Sequence, residues 1–368
     1  MLKRGSKDLV SHATAISYKT TSTPSVTALS QRSITVAGGE SIEITGTQLT
    51  PVTSVKIDEV SCASVAHPSD TKITCTTGAR TALKNSTLVL ESPTGYAATS
   101  GLTFRYVNKW SDENTWSGEF APKEGDSIFI PSGQNLLFDV PTSNKLGAVL
   151  VEGSLIFEPE ATKTNSRSFE AEYIFVRNGY MEVGTEAVPY DSKITFTMYG
   201  DKFSEKLPIY GNKMIGVRQG TIEMHGKVRT PVWTELYTTA DVDATTMELN
   251  YDNTNGNFDW GPGDVVVLAP TDFDFNEHER VTVQSVNTDP GTKRPTVTFS
   301  PALKYKHYAA EETFGSDKVS TRGEVGLLTR TIKFQGDDTS SKSKYGAHIM
   351  MASPGDESSV GKFSYVEL

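Results

Sequence analysis

Two histidines stand where a turn meets a β-rich segment: His225, followed at once by Gly226, and His348, two residues after Gly346. An imidazole that titrates near neutrality can pass a proton to or from a glycosidic oxygen. A histidine beside a turn can equally well bond a backbone carbonyl, and both readings stand for each residue. Glycoside cleavage generally takes two carboxylates flanking the bond, and the sequence identifies no such pair. It also contains no nucleophile elbow, no phosphate-cradling loop and no paired-histidine zinc motif. Asp272-x-Asp274-x-Asn276 begins like a calcium loop, but Glu277 stands where the sharp turn needs glycine and Val283 where the closing glutamate belongs. What remains is an irregular calcium site drawn from Asp272, Asp274, Glu277 or Glu279, or a solvated acidic loop. Four tryptophans, Trp110, Trp116, Trp233 and Trp260, could stack on sugar rings. Their positions beside turns favour anchoring of the core.

Charge narrows the partners. The formal net charge is -10 over 368 residues, which disfavours nucleic acid and other polyanions over most of the surface. Lys193 to Arg229 runs against this balance, and Lys202, Lys206, Lys213, Arg218, Lys227 and Arg229 are the candidates there for binding a polyanion such as an acidic glycan. The alternative is a set of scattered, solvated charges. No stretch approaches the ~20 apolar residues of a membrane-spanning helix. Cys62 and Cys75 are the two cysteines. They lie on segments that read as neighbouring strands, predicting a disulfide and an oxidising, extracellular or cell-surface setting. Asn85-Ser86-Thr87 is an N-glycosylation sequon and agrees with that setting.

The elements that must position these residues are almost all strands. Residues 1–22 read as a polar arm that docks on its own domain or on a neighbouring copy. Residues 23–107 alternate short apolar-polar strands with turns, the pattern of a β-sandwich. From 108 the glycines become regular. VEGSLIF, VRNGYMEV and VRQGTIEM each place Val, one or two polar residues, Gly, then an alternating strand, with glycine spacings of 26 and 41 from Gly153 to Gly179 to Gly220. Such repetition is how a β-solenoid stacks its coils. The longer interval is expected to hold an extra coil around SKITFTMYG. EGDSIFIPSG and PGDVVVLAPT share a Gly-Asp turn feeding an apolar strand, and predict two equivalent strand starts.

Residues 24–107 resemble the immunoglobulin-like IPT/TIG fold, carried by TPSVTALSQRSITVAGGESIEITGTQL and the closing LTFRYV. From 110 to 290, WSDENTWSGEFAPKEGDSIFIPSGQNLLFD, GYMEVGTEAVP, GTIEMHG, VWTEL and WGPGDVVVLAPT resemble the eight-glycine (G8) domain. EVGLLTRTI and GAHIM resemble the start of the parallel β-helix that follows it. The order, immunoglobulin-like domain then eight-glycine domain, is the fibrocystin-like arrangement. The resemblance implies an all-β chain: an immunoglobulin-like β-sandwich (23–107), an eight-glycine β-solenoid domain (108–300) and the start of a parallel β-helix (301–368).

The function expected from these readings is a non-enzymatic, extracellular structural or adhesive glycoprotein module. Its partners would be other copies of itself or surface proteins, without a cofactor. The alternatives are a protein that binds or depolymerises a hyaluronan-like polysaccharide, and a fibrocystin-like receptor ectodomain.

Overall fold

The computed structural model describes residues 2–4, 7–10, 23–57, 59–80, 85–93, 95–96, 104–159, 166–353 and 355–368. The chain is all-β and divides into two compact units, one of Met1–Ala121, Ile130–Asp139 and Gly153–Leu155, the other of Pro122–Phe129, Val140–Glu152 and Ile156–Leu368. Most of the arm expected over 1–22 lies outside the described residues. Its two described pieces, Leu2–Arg4 and Lys7–Val10, pair as an antiparallel hairpin. The side chain of Asn85 also lies outside them, though its backbone opens the short strand Asn85–Ser86.

In the first unit, strands with alternate apolar residues must turn one face inward. Ser41–Thr47 does so with Ile42 and Ile44. It pairs antiparallel with Ser25–Leu29 and with Lys72–Thr76, which in turn pairs with Ala63–Ser69. Leu88–Ser92 and Ser54–Ile57 belong to a second antiparallel sheet. The two sheets share one core that includes Ile34, Ile42, Val55, Ile73, Leu90 and Phe104. Cys62 and Cys75 lie in that core. Both are buried free thiols, where the sequence predicts a disulfide. Cys62 sits between Val60–Ser61 of one sheet and Ala63–Ser69 of the other, and Cys75 is on Lys72–Thr76. Their contact, together with burial, pushes the Cys75 thiol up. Trp110 closes the end of this unit, its ring 5.2 Å from both Trp116 and Phe138.

The second unit contains a parallel, in-register ladder. Thr142–Val151 pairs with Ser166–Arg177, a strand of 12 residues. The next rung is made of two strands laid end to end. Lys193–Met198 pairs with Ser166 to Ala171, and Met214–Arg218 with Tyr173 to Arg177. The long glycine interval therefore holds no extra coil: SKITFTMYG is the first half of a rung whose second half is KMIGVR. The following rung repeats the split, with Ile332–Gly336 on the first half and His348–Ala352 on the second. Val366–Glu367 then pairs with Ile332 and Lys333. Beside this ladder a second one stacks Tyr180–Val183, Thr221–His225 and Val360–Ser364.

In-register parallel stacking sets like residues over like. Phe169, Phe196 and Phe334 align on successive rungs, and Phe157 packs edge-on against Phe169 and Phe196 with centroids 5.2 and 5.1 Å away. Such edge-to-face contacts favour burial of rings beyond their area. The repeated glycines serve close approach. The left-handed residues of the two turns are Asn178 (φ 55°) and Gln219 (φ 51°). A Cβ on Gly220 would come 2.8 Å from the carbonyl oxygen of Gly179, closer than packed atoms allow.

Between Gly226 and Thr331 the chain leaves the ladder and builds an antiparallel sheet of six strands. Their order is Trp233–Glu235, Glu324–Leu327, Val265–Leu268, Glu279–Thr288, Pro295–Ser300 and Thr246–Glu248. Its core includes Trp260, Leu268, Val283 and Phe299. The chain leaves and returns at one place, where Lys227 N–H donates to Thr331 Oγ1 (2.9 Å). The two Gly-Asp turns are one device, as their sequences suggest. Gly125 and Gly263 take φ of 85° and 88°. The carboxylates of Asp126 and Asp264 then accept from the amides of Lys123 (2.7 Å) and Gly261 (2.8 Å).

Candidate functional site

The densest group of ionisable side chains lies on the second ladder. Register sets Glu182 opposite Glu223 and Glu223 opposite Lys362, and His225 opposite Ser364. Glu182, Glu223 and His225 are 2%, 8% and 7% exposed. Tyr180 Oη is 2.8 Å from Glu182 Oε2 and 2.9 Å from Glu223 Oε2, so its single proton serves two carboxylates. Burial first, then the two carboxylates, push the Tyr180 phenol far above its ordinary range, which keeps it a donor. His225 Nε2 is 3.1 Å from Glu223 Oε1, and His225 Nδ1 is 2.8 Å from Ser364 Oγ. Lys362 Nζ stands 3.6 Å from Glu223 Oε2.

Hydrogen bonds join carboxylate, phenol and carboxylate, and separately imidazole and hydroxyl; between the two sets His225 Nε2 approaches Glu223 without hydrogen-bond geometry. Placing two like charges opposite one another in a sheet is unfavourable, and the phenol and the lysine offset that cost. The cluster supplies what the sequence alone does not, a pair of carboxylates beside a histidine, the group types of acid–base chemistry on a glycosidic bond. A signal was present. Glutamate follows the glycine by three residues in both GYMEV and GTIEM.

The other sequence candidates separate. His348 Nε2 donates to the carbonyl of Tyr210 (2.9 Å), and the ring lines an open cavity of about 470 Å³ with Phe334, Gln335 and Leu368. The basic stretch does not act as one surface. Lys213 is fully buried, bonded to Gly200 O (2.9 Å), Ser340 Oγ (2.8 Å) and Asp337 Oδ1 (3.1 Å). Arg229 is buried between Asp259 and Asp264, at 2.9 and 2.7 Å. Lys227 also lies near Asp259, at 3.6 Å, while Lys202 covers the ring of Phe203 at 4.9 Å. Lys206 and Arg218 are exposed. Two of the six candidates, Lys213 and Arg229, are thus buried and paired with carboxylates distant in sequence.

The acidic candidates separate too. Among the described residues no three or more His, Cys, Asp or Glu side chains are grouped to hold a metal ion. Asp272 and Asp274 bond amides of their own loop, those of Phe273 (2.7 Å) and Asn276 (2.8 Å). Glu277 lies in the short turn Phe275–Glu277. Glu279 points elsewhere, accepting from the amides of Lys304 and Tyr305 (2.8 and 3.0 Å) and meeting His307 Nε2 at 3.2 Å. Of the tryptophans, Trp110 and Trp260 are core anchors, and Trp116 Nε1 bonds Trp110 O (2.8 Å). Trp233 departs from that expectation and is half-exposed.

Comparison with known families matches residues 24–106 to the IPT/TIG domain and 115–237 to the G8 domain. The chain carries an IPT/TIG domain followed by a G8 domain. The G8 match includes Tyr180, Glu182, Glu223 and His225. Among its relatives is human fibrocystin-L, 31% identical over 339 residues, covering 90% of this chain and 8% of the relative. Mouse fibrocystin-L is 33% identical over 248 residues, 66% of this chain and 6% of its own. Dog fibrocystin is 27% identical over 298 residues, 80% and 7%. This IPT/TIG–G8 chain therefore spans less than a tenth of the length of each.

Proposed function

We propose that the chain is part of an extracellular, fibrocystin-like ectodomain, a rigid structural or receptor-like module that assembles with other copies or with surface proteins. The observation that carries this is the similarity to fibrocystin-L along nine-tenths of the chain. In this reading the in-register parallel ladders are the rungs of a β-solenoid. The sandwich spans 23–107 and the eight-glycine domain starts at 108. The β-helix, expected from 301, would instead start at Ile332, because Glu311–Phe314, Asp317–Ser320 and Glu324–Leu327 pair antiparallel. No helix among the described residues is long and apolar enough to cross a membrane.

Two side-chain expectations belong to this reading. Cys62 and Cys75, already in contact across the two sheets, would close a disulfide in an oxidising compartment, and Asn85 would carry a glycan. The test is to express the chain behind a secretion signal in mammalian cells. The expected outcome is secretion, a mass loss of the Asn85 glycan on glycosidase treatment that Asn85→Gln abolishes, and no free thiol on alkylation. An unglycosylated, thiol-bearing product retained inside the cell would refute it.

A second reading, processing of a hyaluronan-like polysaccharide, is favoured by the Tyr180–Glu182–Glu223–His225 cluster. Incubation with hyaluronan and size analysis tests it. Shortening by the native chain, lost in Glu223→Gln and His225→Ala, supports the reading; unchanged polymer length ends it.

A further inference from the structure

One end of the antiparallel sheet carries several exposed aromatic rings on its connecting loops. Phe273, Phe275 and Phe314 are largely or fully exposed, and Tyr305 and Tyr308 partly so. Exposed apolar side chains grouped on neighbouring loops are the kind of surface that marks interaction sites. The rings are held out by fixed backbone. Asp272 and Asp274 bond the amides of Phe273 and Asn276. Thr271 Oγ1 ties this loop to the next, accepting from Tyr308 N (2.8 Å) and donating to Lys306 O (3.3 Å). Phe314 is carried on a separate two-stranded hairpin, Glu311–Phe314 with Asp317–Ser320.

The same surface is acidic. Residues 271–278 and 304–320 contain six carboxylates, Asp272, Asp274, Glu277, Glu311, Glu312 and Asp317, against three lysines. Lys318 and Glu311 pair at 2.8 Å, which leaves five carboxylates against two lysines. Its complement is a segment that is basic and apolar. The amino-terminal hairpin has that composition, with Lys3, Arg4 and Lys7 against Asp8, and Leu2, Leu9 and Val10 alongside. The hairpin also pairs with no third strand among the described residues.

We propose that the acidic, aromatic end of the antiparallel sheet is the docking surface for the basic amino-terminal hairpin of a second copy of this chain. The contact joins two different patches, so repetition gives a ring or an open row of copies. It rests on the assembly reading above and names the surface that reading would use.

The experiment is sedimentation velocity on the full chain over a range of concentrations, at low and high salt, with circular dichroism to check folding. The expected result is concentration-dependent association that weakens with salt, as opposed charges require. Phe273→Ser with Phe275→Ser should weaken it at least about tenfold, the loss expected for apolar anchors. Reversing the hairpin (Lys3→Glu, Arg4→Glu, Lys7→Glu) or the surface (Glu277→Lys, Asp317→Lys) should each weaken it, and mixing those two variants should restore association. A chain that stays monomeric at every concentration overturns the proposal, while secretion with the Asn85 glycan would leave the ectodomain reading intact. Association unchanged by the two phenylalanine substitutions also overturns it, and leaves assembly to another surface.

Discussion

The parallel ladder and the antiparallel sheet inserted into it solve one problem in opposite ways. In the ladder each rung lies on the one before in register, so a side chain meets its counterpart from the neighbouring repeat. Phe196 lies between Phe169 and Phe334, and Glu223 between Glu182 and Lys362. In the antiparallel sheet, neighbours come from different sequence contexts, and opposite charges can be placed in one site. Arg229 is clasped by Asp259 and Asp264. Stacking repeats sets like over like, so the ladder must offset its paired Glu182 and Glu223 with Tyr180 and Lys362, whereas the inserted region places opposite charges side by side from the outset.

The largest effects should separate the two regions. Phe196→Ala removes the central ring of a three-rung column and should cost about 3–5 kcal/mol. Arg229→Ala leaves two carboxylates without their cation and should cost a similar ~3–5 kcal/mol. If the regions unfold as separate cooperative units, Phe196→Ala shifts one transition in a denaturant titration and Arg229→Ala the other. A single transition moved equally by both would erase the distinction. Lys213→Met breaks the buried Lys213–Asp337 pair that the ladder holds. It strands Asp337 and should cost about 3 kcal/mol.

Acid should act on both regions. Burial alone would raise the Asp337 carboxyl, but bonds from Thr339, Lys213 and the Gly200 amide outweigh it and hold it below its ordinary value. Glu279 behaves likewise, with the amides of Lys304 and Tyr305 and the ring of His307 outweighing burial. A depressed carboxyl contributes stability above its unfolded value, about 3.9 for Asp and 4.3 for Glu, and loses it as pH falls through the folded one. Stability should therefore fall below about pH 4, with a shallower decline in Asp337→Asn for the ladder and in Glu279→Gln for the antiparallel sheet. Unchanged acid profiles in both would remove these carboxylates from the account. The smallest effect belongs to the turns. Gln219→Gly relieves a left-handed residue at the cost of a freer unfolded chain, and should change stability by no more than about 0.5 kcal/mol.

Local chemistry was legible in the sequence where it stayed local. The Gly-Asp turns before Ile128 and Val265 form as their residues require, because donor, acceptor and left-handed glycine lie within four positions. The repeated Val–Gly–strand segments likewise become neighbouring rungs. What the sequence hid depends on register and on distant partners. SKITFTMYG reads as a coil of its own, since nothing in it shows that a 12-residue strand awaits two partners end to end. Lys213 and Arg229 read as surface charge because Asp337 and Asp264 lie 124 and 35 positions away. The Glu182–Glu223 pair appears only when two strands 41 residues apart are laid side by side.

The single hydrogen bond from Lys227 to Thr331 marks a seam. About a hundred residues enter and leave the ladder through one narrow gate, so the rungs on either side meet as though nothing had intervened. Whatever is housed between those two points can be enlarged, trimmed or exchanged without renegotiating the stack beneath it. The ladder is then the chassis of the unit, and the antiparallel sheet, with its exposed phenylalanines, a part that could be altered without rebuilding it.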